Sequence, residues 1–300
     1  RYHDKAAKEA LHIVYTPLHG TGYVPIQKVM DQSGFTRVDC VDEQTIPDGD
    51  FPTVISPNPE DKRALEMGIA KALEIGADIV LGTDPDSDRV GVAVKTAKGF
   101  ELLTGNQIGA LLTEFVLEHT DLKQYAKPAV IKTIVTSELG AEIARSKGLS
   151  VFSTLTGFKF IGEKITQFEN AKIRGDQEQN YDFILGYEES YGYLVGTHAR
   201  DKDAVVSSLL ICEMAAQLKN EGKTLAAHMQ EIYEEYGYYK EALDSFELKG
   251  KDGIEKIGNM MEALRKGGLK LLGIERVIDY RGMIDAEEGF GKLPASDVLK

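Results

Sequence analysis

The sequence predicts an α/β fold made of two similar consecutive domains, each with a mixed, mostly parallel sheet flanked by helices, followed by a partial C-terminal α+β segment. Two observations carry this prediction. Apolar runs of strand length alternate with amphipathic stretches of helical length, and the order of these elements occurs twice. The length of 300 residues also fits more than one domain, because a domain usually holds about 100 to 200 residues.

The first copy of the pattern starts with an apolar strand at residues 11–15 and an amphipathic helix from about residue 23 to residue 33. A strand at 38–41 follows, and a buried strand at 78–82 precedes an acidic loop. The copy closes with a long amphipathic helix at 106–119. Strands that precede helices across short glycine-bearing turns favour a mixed, mostly parallel sheet covered by helices.

The second copy repeats this order. Its strands are predicted at 130–135, 149–155 and 182–186, and its helices at 137–147 and 203–220. The connection at about 120–128 divides the copies, so two similar α/β units are the simplest organisation that explains the pattern. A further helix is predicted at about 254–265.

The composition is that of a soluble protein with an acidic surface. Asp and Glu number 48 against 35 Lys and Arg, and the resulting net charge of −13 disfavours nucleic acid and acidic membrane surfaces as partners. No apolar run approaches the ~20 residues of a membrane span, and the first residues do not form a signal peptide. Cys40 and Cys212 lack metal-ligand spacing and fit a reducing cytoplasm. The absence of an initiator Met is expected for a fragment.

The acidic loop, residues 84–89, carries the clearest chemistry. Asp84, Asp86 and Asp88 alternate directly after a buried strand, and Arg89 follows them. Three alternating carboxylates can converge on one hard cation, and Mg²⁺ prefers a few oxygen ligands together with water and phosphate. The sequence therefore predicts a magnesium site on these three aspartates.

Other interpretations of the acidic loop explain less. A calcium-binding EF-hand requires Gly and Glu at positions where this chain has Arg89 and Lys95. A phosphatase with an aspartyl nucleophile also places Asp-x-Asp after a strand, but it needs a lysine and further acidic residues on later strand ends. A surface turn in which aspartates cap backbone groups is the usual explanation for one or two aspartates rather than three.

The glutamate loop, residues 186–192, follows the last predicted strand of the second copy and has different chemistry. Glu188 and Ser190 lie two residues apart, so in an extended loop they point the same way and can accept hydrogen bonds from sugar hydroxyls. Nearby cations that can hold a phosphate or move a proton include Lys159 and Lys202. A solvated surface charge is the ordinary alternative for each lysine.

The ordered set of these segments resembles the α-D-phosphohexomutases, and most closely their phosphoglucomutase and phosphomannomutase branch. Gly82–Arg89 is similar to the metal loop of that family, and Gly186–Gly192 is similar to its sugar loop. Supporting segments are Tyr15–Gly22, Pro57–Glu60, Thr156–Lys159 and Arg200–Asp203. The resemblance extends over essentially the whole chain.

The resemblance implies an enzyme of four domains. Residues 1–122 correspond to its second domain, with the metal loop, and residues 123–244 to its third, with the sugar loop. Residues 245–300 correspond to the incomplete start of the fourth, with a strand at 277–280. The family's phosphoserine loop has no counterpart here, because Ser56 lacks the residues that flank that serine, and the C-terminal phosphate loop is absent. The chain by itself is therefore expected to be inactive.

The resemblance also implies a reaction and its residues. A phosphoserine, its charge offset by Mg²⁺ on Asp84, Asp86 and Asp88, passes its phosphoryl group to a hexose monophosphate. The resulting bisphosphate turns round before its other phosphate returns to the serine. The implied ligands are glucose 1-phosphate, glucose 6-phosphate, mannose phosphates and glucose 1,6-bisphosphate. The implied residues are Arg89, Lys159 and Lys202 for catalysis, and Glu188, Ser190, Thr156, Gly157 and Arg200 for substrate binding.

Alternatives to this function stay open. A non-catalytic phosphosugar-binding or interaction module would keep the fold and use another surface, whereas an aspartyl-nucleophile phosphatase would form a phosphoenzyme at Asp84. The choice between glucose and mannose is open as well, because the sugar loop is shared across the branch. Residues 19–22 lack the lysine of a phosphate-binding P-loop and are interpreted as a structural strand-to-helix turn.

Overall fold

The computed structural model of the protein describes residues 2–241, 248–266, 278–279 and 284–285. The chain divides into two compact units, residues 1–239 and residues 240–300. None of the helices within the described ranges combines the length and the apolarity that crossing a membrane requires.

The first half of the larger unit builds a five-stranded sheet. Its elements in chain order are α1 (Lys5–Ala10), β1 (Ile13–Thr16), α2 (Tyr23–Ser33), β2 (Val38–Cys40), α3 (Glu66–Ile75), β3 (Ile79–Thr83), β4 (Val90–Thr96), β5 (Gly99–Leu102) and α4 (Gly105–Glu118). The strand order is β2-β1-β3-β4-β5. β1 is parallel to β2 and β3, whereas β4 is antiparallel to β3 and β5.

The second half of the larger unit builds a four-stranded sheet. Its elements are β6 (Pro128–Thr133), α5 (Leu139–Ser146), β7 (Ser150–Thr154), α6 (Phe158–Arg174), β8 (Asp182–Glu188), β9 (Gly192–Val195), α7 (Ala204–Asn220) and α8 (Leu225–Tyr236). The strand order is β7-β6-β8-β9, in which β6 is parallel to β7 and β8, and β9 is antiparallel to β8.

The two sheets share one topology, with parallel strands in the centre and an antiparallel hairpin toward one edge. The order β2-β1-β3-β4 of the first sheet corresponds to β7-β6-β8-β9 of the second, and β5 extends only the first. Every residue of β1 and β3 is buried, which explains their uninterrupted apolar sequences, since central strands of such sheets are covered on both faces. The predicted repeat and the predicted α/β fold class are confirmed.

The boundaries of the helices follow from local capping. α2 ends at Gly34, whose φ of 91° is the left-handed conformation that glycine adopts most readily. α4 begins after Thr104, which forms a reciprocal capping box with Gln107. The helix predicted from residue 137 begins only at Leu139, and the Ser137 N–H that precedes it donates to the Asn106 side chain at 3.0 Å.

The two long helices join the sheets to one another. α4 packs against β8 and α5 of the second sheet, and α7 packs against α1 and α2 of the first sheet as well as against β9. A buried ion pair, Lys8 Nζ to Glu213 Oε1 at 2.7 Å, ties α1 to α7. Apolar side chains from both sheets belong to one core cluster. The division predicted between residues 122 and 123 therefore stays a prediction.

The smaller unit contains α9 (Gly250–Arg265) and an antiparallel pair of short strands, β10 (Ile278–Asp279) and β11 (Ile284–Asp285). The helix predicted at 254–265 lies within α9. The strand predicted at 277–280 includes β10, and its end residues lie outside the described residues, as does the segment 286–300.

Candidate active site

The acidic loop and the glutamate loop meet in the structure. The acidic loop connects β3 to β4. The glutamate loop includes the end of β8, which extends to Glu188 beyond the predicted strand, the turn at 189–191 and the first residue of β9, so the two loops occupy corresponding hairpins of the two sheets. Arg89 and Gly192 form an antiparallel β-bridge, and the Val90 N–H donates to the Tyr191 carbonyl at 3.1 Å. Residues from the two copies of the fold therefore form one continuous surface.

The acidic loop folds around the carboxylate of Asp84. Its Oδ1 accepts hydrogen bonds from the N–H groups of Asp88 and Arg89, both at 3.0 Å. Ser87 has a φ of 60°, the left-handed conformation that closes the turn. Burial raises the pKa of Asp84 to about 7; the Arg89 N–H opposes this shift, and the carboxylates of Asp88 and Asp86 add to it.

The donor set of the acidic loop fits a magnesium ion. One carboxylate oxygen from each of Asp84, Asp86 and Asp88 lies within 4.8 Å of the others. Asp88 Oδ1 is buried and accepts no hydrogen bond from any described residue, and the neighbouring Ser87 hydroxyl also lacks such a partner. A cation bound to these oxygens would offset both the desolvation and the mutual repulsion of the aspartates.

The turn at residues 19–22 packs against the acidic loop. The Thr21 N–H and hydroxyl both donate to the Pro85 carbonyl, at 2.8 and 3.0 Å. A Cβ atom at Gly20 would lie 2.3 Å from the Cα of Pro85, so only glycine permits this approach. His19 is buried and bonds Thr53 Oγ1 at 2.8 Å. The turn acts on the acidic loop through close packing, as its interpretation as a structural turn predicts.

Arg89 lies between the acidic loop and an acidic side chain from elsewhere in the chain. Its Nη1 donates to Glu60 Oε1 at 3.0 Å, while its Nε lies 3.8 Å from Asp88 Oδ1 and 4.0 Å from Asp84 Oδ2. Burial raises the pKa of Glu60, and the charge and hydrogen bond of Arg89 act in the opposite direction. The sequence placed Glu60 in a family-like segment but gave no indication of this contact.

Lys202 links the two halves of the site. Its Nζ lies 2.8 Å from Asp88 Oδ2 and 2.9 Å from Asp201 Oδ1, and its side chain is 11% exposed. The ammonium also lies 5.5 Å from the centre of the Phe158 ring. Burial alone would lower the pKa of Lys202, but its hydrogen bonds to Asp88 and Asp201 outweigh this and raise it. Lys202 is thus a stably charged cation at the acidic loop.

The glutamate loop presents Glu188 at the junction. Glu188 is buried, which raises its pKa, whereas a hydrogen bond with Ser190 and the charges of Lys202 and Arg89 act against the shift. A Cβ atom at Gly192 would lie 2.1 Å from Lys202 Cδ and 3.1 Å from Glu188 Oε1. Glycine at position 192 therefore lets the lysine pass close to the loop.

Glu189, a residue that sequence reasoning left without a role, anchors the glutamate loop. Its Oε2 accepts hydrogen bonds from the hydroxyls of Thr133 and Thr136, at 3.0 and 3.1 Å. The neighbouring Lys132 is 1% exposed and pairs with Glu138 at 2.7 Å. A lysine within the apolar run of β6 was the one sequence signal that this strand end has a polar function.

The structure does not bring every predicted residue to the junction. Lys159 and Thr156 are exposed, and the Lys159 ammonium lies 4.9 Å from the Phe160 ring. Gly157, with a φ of 115°, precedes α6 and places Phe158 against Lys202. Arg200 is exposed and pairs with Glu169 of α6 at 2.5 Å. Gly157 thus lies beside the junction through Phe158, whereas the named contacts of Lys159 and Arg200 are with residues of α6.

Comparison with protein families identifies both halves of the larger unit. The family model for phosphoglucomutase/phosphomannomutase, alpha/beta/alpha domain II, matches residues 2–99. The model for alpha/beta/alpha domain III of the same family matches residues 104–236. Together they include both loops of the site.

Curated relatives at substantial identity carry the same family name. A phosphoglucomutase from Staphylococcus haemolyticus (strain JCSC1435) is 36% identical over 302 residues, which cover 97% of this chain and 53% of that protein. A phosphoglucomutase from Staphylococcus aureus (strain N315) is 38% identical over 275 residues, which cover 89% of this chain and 48% of that protein. The chain thus spans about half the length of the curated relatives it matches.

Solved structures share the fold at lower identity. A putative phosphomannomutase from Thermus thermophilus matches with a TM-score of 0.59 at 24% identity and covers 78% of this chain and 47% of that chain. The open form of a Paramecium phosphoglucomutase, pp63/parafusin, matches with a TM-score of 0.56 at 17% identity and covers 79% of this chain and 40% of that chain.

Proposed function

The chain belongs to the phosphoglucomutase/phosphomannomutase family, and on that premise we propose that it is the central part of an enzyme that interconverts hexose 1-phosphates and hexose 6-phosphates. The observation that carries the proposal is the junction of the two loops. Three clustered carboxylates, two cations and a buried glutamate occupy one surface, and they come from both copies of the fold. A site for a phosphorylated sugar needs such a combination, because it must bind both a phosphate and hydroxyl groups.

Asp84, Asp86 and Asp88 are assigned to Mg²⁺. When bound, the ion supplies positive charge beside a transferring phosphoryl group, which phosphoryl transfer requires for charge neutralisation. Arg89 faces the same carboxylates and is assigned to the phosphate itself, because its planar guanidinium suits phosphate oxygens.

Lys202 is assigned to a phosphate contact in preference to a proton shuttle. A shuttle must release its proton, and the ion pairs with Asp88 and Asp201 hold the proton on Lys202 by raising its pKa. Glu188 and Ser190 are assigned to sugar hydroxyls. Lys159, Thr156, Gly157 and Arg200 are assigned to the border of the substrate site, in keeping with the family resemblance.

The complete reaction needs groups that this chain does not hold. A phosphoserine passes its phosphoryl group to a hydroxyl of a hexose monophosphate, and the serine recovers a phosphoryl group from the other end of the hexose 1,6-bisphosphate. Residues 1–122, 123–244 and 245–300 then correspond to the second and third domains and the start of the fourth. We infer that the chain alone does not turn over, because in-line transfer requires the donor serine to be held against the acceptor. A cytoplasmic location accords with free thiols at Cys40 and Cys212.

Isothermal titration of the chain with glucose 1,6-bisphosphate in excess Mg²⁺ tests the proposal. Binding is expected, and Glu188→Gln is expected to weaken it. No binding at millimolar concentrations would contradict the assignment of the site. Substitution at exposed Glu101, which lies on β5 opposite Val94 of β4, is the matched control.

Incubation with glucose 1-phosphate and Mg²⁺ separates the proposed role from an aspartyl-nucleophile phosphatase. No glucose 6-phosphate is expected from the chain alone. Release of inorganic phosphate would favour an aspartyl-nucleophile phosphatase. Conversion that is abolished by Ser56→Ala would show that this serine is the phosphoryl carrier after all.

A further inference from the structure

We propose that Glu60 is a positioning residue that holds the guanidinium of Arg89 for a phosphate ligand and keeps it from closing onto the aspartates. The inference rests on the proposed function, because it assigns Glu60 a task in the same site. Glu60 ends the segment Pro57–Glu60, which the family resemblance includes without a role for its carboxylate.

The three nitrogens of the Arg89 guanidinium have three different surroundings. Nη1 donates to Glu60 Oε1 at 3.0 Å. Nε lies 3.8 and 4.0 Å from the carboxylates of Asp88 and Asp84, which is longer than a hydrogen bond. Nη2 donates to no group among the residues that the structure describes. The edge of the guanidinium that carries Nη2 is thus available to a ligand while Nη1 is fixed.

The backbone at Glu60 is held by its segment. The Glu60 N–H donates to Asn58 Oδ1 at 3.0 Å, and the Asp61 N–H donates to the Asn58 carbonyl at 3.0 Å, so the backbone turns tightly at Asn58. A Cβ atom at Gly91 would lie 2.4 Å from the Pro59 carbonyl oxygen. The segment therefore packs closely against β4 at Gly91, two residues after Arg89. This packing fixes the backbone from which the Glu60 side chain extends.

Competition between carboxylates explains why such a residue is needed. An arginine beside several aspartates is attracted to them, and a guanidinium that paired with Asp84 and Asp88 would occupy oxygens assigned to the metal. Glu60 provides the only hydrogen bond to Arg89 side-chain nitrogens among the described residues, and it engages Nη1 while Nε is the nitrogen near those aspartates. Charge-assisted hydrogen bonds of this kind fix geometry as well as charge.

Titration with glucose 1,6-bisphosphate in excess Mg²⁺ distinguishes two roles of Glu60. Glu60 either positions Arg89 for the ligand or competes with the ligand for Arg89. Under positioning, affinity falls in the order unaltered chain, Glu60→Gln, Glu60→Ala, because the Gln oxygen still accepts a weaker bond. About a tenfold loss is expected for Glu60→Ala, and none for the control Glu101→Ala. Equal or tighter binding by Glu60→Ala would overturn the proposal. Failure of the unaltered chain to bind would instead contradict the proposed function.

A second measurement judges Glu60 without any ligand. ¹⁵N relaxation of the Arg89 Nε–H group, identified by its loss in Arg89→Lys, reports how firmly the guanidinium is held. A rigid signal is expected in the unaltered chain, with intermediate order in Glu60→Gln and mobility or a shifted position in Glu60→Ala. An Arg89 signal that is unchanged in Glu60→Ala would overturn the proposal even if ligand binding were never observed.

Discussion

The acidic loop and the glutamate loop occupy corresponding positions in their two sheets but carry different side chains. Each joins the last parallel strand of its sheet to an antiparallel partner, and each contains a non-glycine residue in the left-handed conformation, Ser87 with φ 60° and Tyr191 with φ 64°. The acidic loop clusters three carboxylates, of which Asp86 is exposed and the other two are half-buried, whereas the glutamate loop is largely buried and anchored by its tyrosines and Glu189. The repeated hairpin places the two proposed ligand sites at corresponding positions, and the loop sequences account for the different groups proposed to bind there.

The two loops are also supported in different ways. The acidic loop packs on the Gly20 turn of its own sheet, and the buried Asp88 Oδ1 is left without a hydrogen bond from any described residue. The glutamate loop packs against the first residue of α4, where a Cβ atom at Gly105 would lie 1.9 Å from the Glu189 carbonyl oxygen. The Tyr191 hydroxyl donates to the Leu103 carbonyl at 3.0 Å on the same side. Metal binding and sugar binding should therefore be separable by mutation.

The largest effects are expected from adding one methyl group, by Gly→Ala substitution, at the packing contact of each loop. Gly20→Ala and Gly105→Ala each place a Cβ atom against backbone, so each should lower the free energy of unfolding by ~1–3 kcal/mol in urea titrations. Gly20→Ala should lose the response to Mg²⁺, and Gly105→Ala should lose the response to glucose 1,6-bisphosphate. Gly49→Ala, which meets open space, is the control. Loss of both responses in either variant would show that Mg²⁺ and the sugar phosphate cannot be separated by mutation, although both loops belong to one site.

Mg²⁺ itself should stabilise the unaltered chain through the acidic loop. A ligand at a hundred times its dissociation constant adds about 2.7 kcal/mol to the free energy of unfolding. Asp86→Ala should abolish this gain, while Glu188→Gln should leave it intact. Melting curves with and without millimolar Mg²⁺ provide the measurement. An indifferent melting temperature in the unaltered chain would argue against an independent metal site.

The pH dependence of Mg²⁺ binding sharpens the comparison further. The pKa of Asp84 is about 7, above its ordinary value of 3.8, so a proton competes with the metal below pH 7. Affinity should fall by up to about tenfold for each pH unit below this value. In the absence of metal, folding stability has the opposite pH dependence. The folded state holds the Asp84 proton more tightly than the unfolded state, so the contribution of Asp84 to stability decreases as the pH rises from about 4 to 7. A flat affinity profile between pH 5 and 8 would contradict this assignment.

The smallest effect is expected at the anchor of the glutamate loop. Glu189→Gln keeps the size of the side chain but removes its charge, so the hydrogen bonds from Thr133 and Thr136 should weaken by about 1 kcal/mol. Affinity for glucose 1,6-bisphosphate should fall severalfold, with Mg²⁺ stabilisation unchanged. Calorimetric titration of both ligands tests this difference. An equal loss of Mg²⁺ affinity would contradict the view that the acidic loop and the glutamate loop are supported separately.

Local patterns were sufficient to predict most of the fold. The predicted strand at 78–82 corresponds to β3, Ile79–Thr83, which is buried throughout because it lies inside its sheet. Gly34 ends α2 because the chain turns there into the left-handed region. The two loops were recognisable because polar residues follow buried strands directly. The packing of α4 onto the second sheet was not predictable, since an amphipathic face does not specify its partner.

The contacts that complete the site depend on tertiary approach. Glu60 and Arg89 are 29 positions apart, and Thr133 and Glu189 are 56 positions apart, so no periodicity connects them. Each of these residues has an ordinary surface explanation in the sequence. Lys202 was proposed as a phosphate contact or a proton shuttle, and only its pairing with Asp88 separates these roles. The assignments of the individual site residues stay predictions.

The shared core around α7 limits how this part of the protein can move. The helix starts beside the acidic loop, where the Ala204 N–H donates to the Ser87 carbonyl at 3.2 Å, and it ends near Lys219, which pairs with Asp78 at 2.6 Å. Between these points it is buried against both sheets, so the helix spans the two halves of the core without a break. We therefore expect the acidic loop and the glutamate loop to keep their relative positions when a ligand binds, so that the fold and not the ligand sets the distance between them.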